Sequence, residues 1–161
     1  MSVEEVKEYL SRWGLDQGVM EMEMSSATVE LAAEAVGVIP ARIAKTLSFK
    51  KGDSCILIVT AGDAKIDNTK FKSTFGMKAK MLSAEEVETL TGHPVGGVCP
   101  FALKSSDIQV YTDISMKRFD TVYPACGSGN SAVELTCDEL FTASGSSGWI
   151  DVCKGWQGGA V

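Results

Sequence analysis

The sequence predicts an α+β fold built around a mixed β-sheet. An uninterrupted apolar stretch at 55–59 is typical of a central strand, because such a strand is buried on both faces. Strand-like and helix-like segments follow one another without the strict alternation of a doubly wound fold. The chain has 161 residues, of which 45% are hydrophobic and 22% charged, as in an ordinary globular protein. We therefore expect a single domain over residues 1–161.

Capping signals delimit the predicted helices. Three Ser or Thr residues are each followed three positions later by Glu, the pattern of a capping box: Ser2, Ser83 and Thr136. Asn68 is expected to cap another short helix, and a further helix is predicted around 29–36. Glycine adopts the left-handed conformation that ends many helices. It follows the predicted helices at Gly14, Gly37, Gly76, Gly92 and Gly145.

Alternating or fully apolar segments predict seven strands. They lie at 19–24, 42–50, 55–59, 108–111, 121–124, 131–136 and 149–152. A turn at 51–53 joins the second and third of them as a hairpin. In the first strand, Met20, Met22 and Met24 share one face, which we interpret as core packing and not as a cofactor site.

Lys45 is the first candidate functional residue. It shares the alternation of Ile43, Leu47 and Phe49, so it is expected on the apolar side of its strand. A buried lysine costs free energy unless its ammonium is paired or meets a ligand. Lys45 is therefore either a cation at the mouth of a pocket or a side chain that extends to solvent at the sheet edge.

A second candidate is the irregular segment 91–103. It contains three glycines, two of the four prolines and the only histidine, His93. Because glycine frees φ and proline fixes it, such a loop can hold backbone N–H groups away from any sheet and towards a ligand. The alternative is a simple long connection between a helix and a strand.

Charge and cysteine content exclude several classes of function. A net charge of −6 argues against a broad interface with nucleic-acid phosphates, but not against contact with the end of a nucleic acid. Five cysteines without a CxxC motif and a single histidine argue against a metal site and a disulfide framework, so we expect no metal and no cofactor. No apolar run reaches membrane-spanning length and the N-terminus lacks a signal pattern, so we expect a cytoplasmic protein without membrane contact.

Two local features leave alternatives open. Lysines are concentrated at Lys70, Lys72, Lys78 and Lys80, which predicts either a solvated face or a local phosphate contact. The glycines on either side of Ser128 suggest a phosphate loop, but the segment that follows is predicted as a strand and not as the helix that a phosphate site needs. We interpret 127–129 as a tight turn.

Several of these segments together are similar to one known family. The residues are Ala-Lys-Thr-Leu-Ser-Phe at 44–49, Gly-Gly-Val-Cys-Pro-Phe at 96–101, Thr-Val-Glu-Leu-Ala-Ala at 28–33, and the closing segments at 125–127, 133–135 and 138–140. They resemble the YbaK/prolyl-tRNA synthetase-associated domain, whose members hydrolyse mischarged aminoacyl-tRNA. The resemblance covers roughly residues 25–152.

The resemblance implies a mixed, strongly curved β-sheet flanked by helices, and a deacylase that acts on tRNA charged with a small amino acid. The family's lysine corresponds to Lys45, and its GxxxP loop begins at Gly96 and ends at Pro100. In this family the loop's backbone amide is thought to hold the ester carbonyl, and a ribose hydroxyl of the tRNA is thought to help activate water. The implied partners are the acceptor end of an aminoacyl-tRNA and, as a candidate, prolyl-tRNA synthetase.

We therefore assign Lys45, Gly96 and Gly97 as the catalytic candidates. The candidate substrate-binding residues are Thr46, His93, Pro100, Gly127 and Ser128. His93 could instead cap the preceding helix, and Cys99 with His93 could form a cysteine hydrolase. The alternative function is a non-catalytic module that binds a tRNA end or a small ligand.

Overall fold

The computed structural model of the chain describes residues 3–156, so the capping box at Ser2 lies outside the described residues. This part of the chain contains five α-helices: α1 (Val3–Leu10), α2 (Val29–Val36), α3 (Asn68–Phe75), α4 (Ala84–Thr91) and α5 (Cys137–Ser144). It also contains ten strands: β1 (Met20–Glu21), β2 (Ile43–Lys51), β3 (Ser54–Ala61), β4 (Lys65–Ile66), β5 (Gln109–Asp113), β6 (Thr121–Pro124), β7 (Ser131–Ala132), β8 (Leu135–Thr136), β9 (Trp149–Ile150) and β10 (Cys153–Lys154). Within residues 3–156, no helix combines the length and the apolar character needed to cross a membrane.

Six of the strands form a mixed sheet in the order β8-β6-β2-β3-β5-β9. The pairs β2–β3 and β6–β8 are antiparallel, whereas β2–β6, β3–β5 and β5–β9 are parallel. The two small antiparallel pairs β1–β7 and β4–β10 lie outside this sheet. The α+β class with a mixed sheet, predicted from the sequence, is confirmed.

The hydrophobic core is centred on β3. Residues 55–61 are each 1% exposed or less, so both faces of this strand are covered, as its apolar run predicts. Leu10 of α1 and Leu140 of α5 are completely buried in the same core. Phe71 of α3 packs on Phe49 of β2 with 4.9 Å between ring centroids. Burial of each such side chain stabilises the folded state by about 1.5–3 kcal/mol.

The capping signals read from the sequence identify most helix ends. The boxes at Ser83 and Thr136 are both formed, closed by Glu86 and Glu139. A left-handed glycine follows four of the helices, with φ between 65° and 84°: Gly37, Gly76, Gly92 and Gly145. These helices therefore begin and end where local side-chain and backbone chemistry requires.

The prediction that Asn68 caps α3 is wrong. The cap is Asp67, whose carboxylate accepts hydrogen bonds from the backbone N–H groups of Thr69 and Lys70, each at 3.0 Å. Asp67 has extended backbone angles, which a capping residue needs, whereas Asn68 is already the first helical residue. Both residue types are good caps, so the sequence alone did not separate them.

Three predicted strands are shorter or divided in the structure. The segment 149–152 is a strand only at Trp149–Ile150. The segment 19–24 pairs only at Met20–Glu21, because its partner β7 has two residues. The interpretation of the methionine face as core packing is wrong for Met24, which is 44% exposed. The segment 131–136 is divided into β7 and β8, because these pieces pair with different strands, β1 and β6.

The connection between β3 and β4 turns sharply at 62–64. Gly62 permits this turn to pack closely, because a Cβ atom there would lie 2.1 Å from the Pro40 carbonyl oxygen. The guanidinium of Arg118 holds the adjacent Asp63 through two hydrogen bonds, of 2.6 and 3.0 Å. Such a bidentate pair fixes direction as well as distance, so the turn is held in one position.

Asp113 ties the end of β5 to the C-terminal part of the described chain. Its side chain is completely buried. One carboxylate oxygen accepts the Ser115 N–H and the other accepts the Val152 N–H, both at 2.9 Å. The carboxylate therefore pairs two buried backbone donors that no strand pairing satisfies.

Replacement of Asp113 should destabilise the fold. In Asp113→Ala, two buried N–H groups lose their acceptor at about 1–3 kcal/mol each, so the free energy of unfolding should fall by about 2–6 kcal/mol. Asp120 is an exposed carboxylate and serves as the control. Asp120→Ala should change the free energy of unfolding by less than about 0.5 kcal/mol. Urea unfolding followed by circular dichroism measures both variants, and equal stability of the two would contradict the role of Asp113.

Candidate active site

A small cavity opens between β2, the N-terminal end of α2 and the glycine-rich loop. Its volume is about 270 Å³, close to the lower end of the range of about 300–1,000 Å³ for ligand pockets. It is lined by residues of 26–29 and 43–47, by Val95, Gly96 and Val98, and by Ala32, Tyr123, Ala125, Ser131 and Ala132. Many of these side chains are alanines, so the walls project little into the space.

The cavity exists because part of β2 has no neighbouring strand on one edge. β6 pairs with β2 only at Ile43 and Ala44. Further along the same edge, Ser48 and Lys50 form backbone hydrogen bonds to the chain at 80–82. Between them, no described strand pairs with residues 45–47 on this side, and this open stretch of edge borders the cavity.

Lys45 is the one charged side chain among the described residues that line the cavity. Its Nζ donates to the carbonyl oxygens of Ala64, at 2.5 Å, and Gly62, at 3.3 Å. Burial lowers the pKa of Lys45 from its ordinary value, while Cys153 and Asp63 act in the opposite direction. An ammonium has three N–H donors. The fold uses two of them, so one remains for a ligand.

The glycine-rich loop packs directly onto the turn at 127–129. Gly97 is buried, and a Cβ atom there would lie 2.4 Å from the backbone nitrogen of Ser128. The Gly127 N–H also donates to the Gly97 carbonyl at 3.1 Å. The structure thus brings together four sequence-predicted residues from distant parts of the chain: Gly96, Gly97, Gly127 and Ser128.

The N–H groups of the two loop glycines differ in what they bind. The Gly97 N–H donates to the Pro94 carbonyl at 2.9 Å, so it is engaged within the loop. Gly96 lines the cavity, and its N–H has no backbone acceptor among the described residues. Of these two N–H groups, the one on Gly96 is therefore available to a ligand.

Two hydroxyl groups in the cavity-lining residues are buried without a partner. Ser26 and Thr46 are 7% and 9% exposed, and neither hydroxyl forms a hydrogen bond within residues 3–156. An unpaired buried hydroxyl costs about 1–3 kcal/mol. A polar group of a ligand in the cavity would remove that cost, so these two hydroxyls favour a ligand with hydrogen-bonding groups.

His93, Cys99 and Pro100 are buried and do not line the cavity. His93 Nε2 lies 2.7 Å from the Phe101 carbonyl oxygen and 3.6 Å from Cys99 Sγ. Burial lowers the pKa of His93 and raises the pKa of Cys99 to about 12. The thiolate that a cysteine nucleophile needs is therefore disfavoured. The C-cap of α4 is Gly92, so His93 does not cap that helix.

Ser128 supports the turn and does not itself line the cavity. Its hydroxyl donates to Asn130 Oδ1 at 2.8 Å and lies 2.9 Å from the hydroxyl of Ser131. Ser131 lines the cavity and accepts the backbone N–H of Cys126. Ser128 thus contacts the cavity through Ser131.

Sequence reasoning missed the segment 26–29, which forms one wall of the cavity. A local signal was present, because Thr28 is the N-cap of α2 and accepts the Leu31 N–H at 3.2 Å. The cap predicts where α2 begins but not which part of the sheet it faces. Within residues 3–156, no group of three or more His, Cys, Asp or Glu side chains is arranged to hold a metal ion.

The chain matches one protein family and is similar to several known proteins. A family model described as an aminoacyl-tRNA editing domain matches residues 23–143. The uncharacterized protein YwhH of Bacillus subtilis (strain 168) is 58% identical over 158 residues, which cover 98% of this chain and 100% of that protein. The proline–tRNA ligase of Caldicellulosiruptor bescii is 32% identical over 91 residues, which cover 56% of this chain but 15% of the ligase.

Solved structures share the fold. A crystal structure of a candidate trans-editing enzyme for prolyl tRNA synthetase matches with a TM-score of 0.85 and 27% identity, over 96% of this chain and 99% of that one. The hypothetical protein APE2540 matches with a TM-score of 0.82 and 31% identity, over 93% of this chain and 99% of that one. These matches confirm the mixed, curved sheet that the resemblance implied. The family match covers well over half of the sequence, and the chain therefore belongs to the aminoacyl-tRNA editing domain family.

Proposed function

We propose that this chain is a trans-acting deacylase, which hydrolyses the ester between a small amino acid and the terminal ribose of a mischarged tRNA. The observation that carries the proposal is the presence of Lys45 and Gly96 in one small cavity, each with a hydrogen-bond donor to spare. The chain acts as one editing domain in the cytoplasm, where aminoacyl-tRNA is used, and needs no metal or cofactor.

The cavity supports a small amino acid as the group that is removed. Its volume of about 270 Å³ lies just below the usual range of about 300–1,000 Å³ for ligand pockets, which favours a small side chain over a long or aromatic one. The unpaired hydroxyls of Ser26 and Thr46 would accept from the α-ammonium of the substrate or pair with a polar side chain. The substrate class that fits both features is a small amino acid with its ammonium group in the cavity.

The proposed reaction is attack of water on the ester carbonyl carbon. The carbon–oxygen bond to the ribose then breaks, and the ribose oxygen takes a proton to give free amino acid and tRNA. The Gly96 N–H donates to the carbonyl oxygen as negative charge develops there, an effect worth about 3 kcal/mol per donor in other hydrolases. The remaining N–H of Lys45 binds an oxygen of the substrate and fixes the position of the ester.

No side-chain nucleophile is required for this chemistry. An aminoacyl ester is already activated, and the neighbouring ribose hydroxyl of the tRNA can orient the attacking water. The buried, protonated thiol of Cys99 and the buried imidazole of His93 are therefore assigned to the core and not to the reaction. This assignment separates the proposal from a cysteine hydrolase.

The proposed partners are the acceptor end of the aminoacyl-tRNA and prolyl-tRNA synthetase. Support for the synthetase comes from the similarity to proline–tRNA ligases and to a candidate trans-editing enzyme for prolyl tRNA synthetase. The similar segment makes up only 15% of the Caldicellulosiruptor bescii ligase, so only an editing role, and not aminoacylation, is carried over to this chain.

Removal of the Lys45 ammonium should abolish deacylation while the fold survives. We expect kcat/KM of Lys45→Ala to fall by about 100-fold or more, because the ester loses a group that fixes its position. The measurement is hydrolysis of tRNAs charged in turn with alanine, serine, cysteine and threonine. Lys50→Ala is the matched control, since Lys50 lies on the same strand outside the cavity and pairs with Glu86.

Each outcome of this comparison is informative. Hydrolysis of one or a few substrates by the wild type and the control, but not by Lys45→Ala, would support the proposal and identify the amino acid. Unchanged activity of Lys45→Ala would refute the role of its ammonium. No turnover by the wild type across the panel would favour a non-catalytic binding module.

A side chain at Gly97 should separate the loop from the turn on which it packs. Gly97→Ala places a Cβ atom against the Ser128 backbone, so we expect a loss of about 1–3 kcal/mol in stability and a drop in kcat/KM. Gly148→Ala is the control, because no atom lies within 4 Å of the added Cβ. Thermal unfolding and deacylation are measured together, and a Gly97 variant that matches the control in both would contradict this packing role.

Cys99→Ser should retain activity within a few-fold of the wild type. The serine hydroxyl can donate to the Phe101 carbonyl, which the thiol faces at 3.8 Å, and no step of the proposed reaction uses the sulfur. Deacylation of the best substrate from the tRNA panel is the measurement. A loss as large as that of Lys45→Ala, in a variant that remains folded, would instead favour a thiol nucleophile.

A further inference from the structure

Positive charge is concentrated beside the cavity of an otherwise acidic chain. Four exposed lysines, which we name the lysine surface, lie on β4, α3, the segment after α3, and β10: Lys65, Lys72, Lys78 and Lys154. None of the four forms an ion pair with another described residue. With a net charge of −6 for the chain, this distribution is not a general property of its surface.

The carboxylates nearest in sequence to the lysine surface are already engaged. Asp67 caps α3 and accepts two backbone N–H groups. Asp151 pairs with Lys70 at 3.0 Å, and the same ammonium donates to the Cys153 carbonyl. Lys70 is therefore a structural link between α3 and β10 and is not counted in the lysine surface.

Two members of the lysine surface stand directly opposite each other. Lys65 and Lys154 are register partners in the antiparallel pair β4–β10, and both are exposed, whereas Ile66 and Cys153 are more deeply placed. Like charges directly opposite in such a pair destabilise it. An anion bound between the two ammonium groups would convert this repulsion into attraction.

The other two members line an open groove next to α3. The groove has a volume of about 610 Å³ and is lined by Asn68, Thr69, Lys72, Ser73, Lys78 and Ala79. Amide, hydroxyl and ammonium groups are the side-chain donors that contact phosphate and sugar oxygens in nucleic-acid complexes. The lining has no carboxylate, so its chemistry suits a polyanion rich in oxygen acceptors.

The lysine surface is connected to the cavity through the backbone. Lys65 follows Ala64 directly, and the Ala64 carbonyl holds the Lys45 ammonium at 2.5 Å. The Lys65–Lys154 pair is therefore the part of the lysine surface that the backbone joins directly to the Lys45 site. β4 is followed along the chain by α3, whose residues line the groove.

We infer that the lysine surface binds the sugar–phosphate backbone of the tRNA acceptor end, with Lys65 and Lys154 at the phosphates nearest the aminoacyl group and Lys72 and Lys78 further along the strand. The inference rests on the proposed function, because it uses a tRNA ester as the occupant of the cavity. None of the four lysines is among the residues that line the cavity, so the proposed RNA contact lies outside it.

The test is equilibrium binding of an uncharged tRNA acceptor-stem hairpin, measured by fluorescence anisotropy over a series of salt concentrations. In the double variant Lys72→Gln/Lys78→Gln, we expect Kd to rise by about tenfold or more at low salt. The slope of log Kd against log salt should fall by about 1.5, because each lost phosphate contact removes roughly 0.7–0.9 from it. Lys65→Gln/Lys154→Gln should give a change of the same size.

The control is Lys7→Gln/Lys104→Gln, which removes the same charge on α1 and in the loop after Phe101. Within the described part of the chain, the carboxylates that pair with Lys7 are exposed, and Lys104 is itself exposed, so neither change should disturb the fold. This control should keep Kd within about twofold of the wild type. Equal weakening of all three variants, an unchanged Kd in both lysine-surface variants, or no binding by the wild type would overturn the inference.

Failure of the inference and failure of the proposed function are distinguishable. The hairpin carries no amino acid, so its binding does not depend on ester hydrolysis. Wild-type deacylation of charged tRNA is measured in parallel. Hairpin binding that depends on the lysine surface, without any deacylation, would support the docking surface and refute the deacylase. Deacylation that is normal in both lysine-surface variants at low substrate concentration would support the deacylase and refute the docking surface.

Discussion

The arrangement of the site depends on how the fold holds the Lys45 ammonium. Withdrawing a cation partly from water is costly unless polar groups compensate it, and for the half-buried Lys45 the compensation comes from the carbonyl oxygens of Ala64 and Gly62. Those carbonyls are in position because the turn after β3 is fixed twice. Gly62 packs under the Pro40 carbonyl, and Arg118 clamps Asp63. Arg118, which does not line the cavity, thereby helps to determine where the ammonium lies.

The second constraint is the contact between two irregular loops. A loop that presents a free N–H to a ligand cannot be held by a sheet, so it needs another support. Gly97 gives that support by packing against Gly127 and Ser128 without any intervening side chain. Because the Gly97 N–H is used inside the loop, the adjacent Gly96 N–H is left over at the cavity. Gly97 fixes the loop, and the N–H of the preceding Gly96 is available to a ligand.

The sequence was informative where structure is decided locally. The apolar run of β3, the two capping boxes and the alternation around Lys45 are all local patterns, and each predicted its element. The choice between Asp67 and Asn68 failed because both residues suit a cap, and 131–136 was predicted as one strand because nothing local shows that its halves have different partners. The wall at 26–29 and the burial of His93 depend on contacts between distant segments, which spacing does not encode.

The charge distribution links the fold to the proposed substrate in a way that net charge alone obscures. An acidic chain repels RNA at long range, so binding of the proposed tRNA substrate would depend on a local patch and would be sensitive to salt. A small patch beside the cavity favours the strand end that carries the ester over the rest of the tRNA. Local binding of this kind would suit the proposed deacylase, which must release correctly charged tRNAs. On this argument the net charge of −6, which at first speaks against a nucleic-acid partner, becomes part of the selectivity.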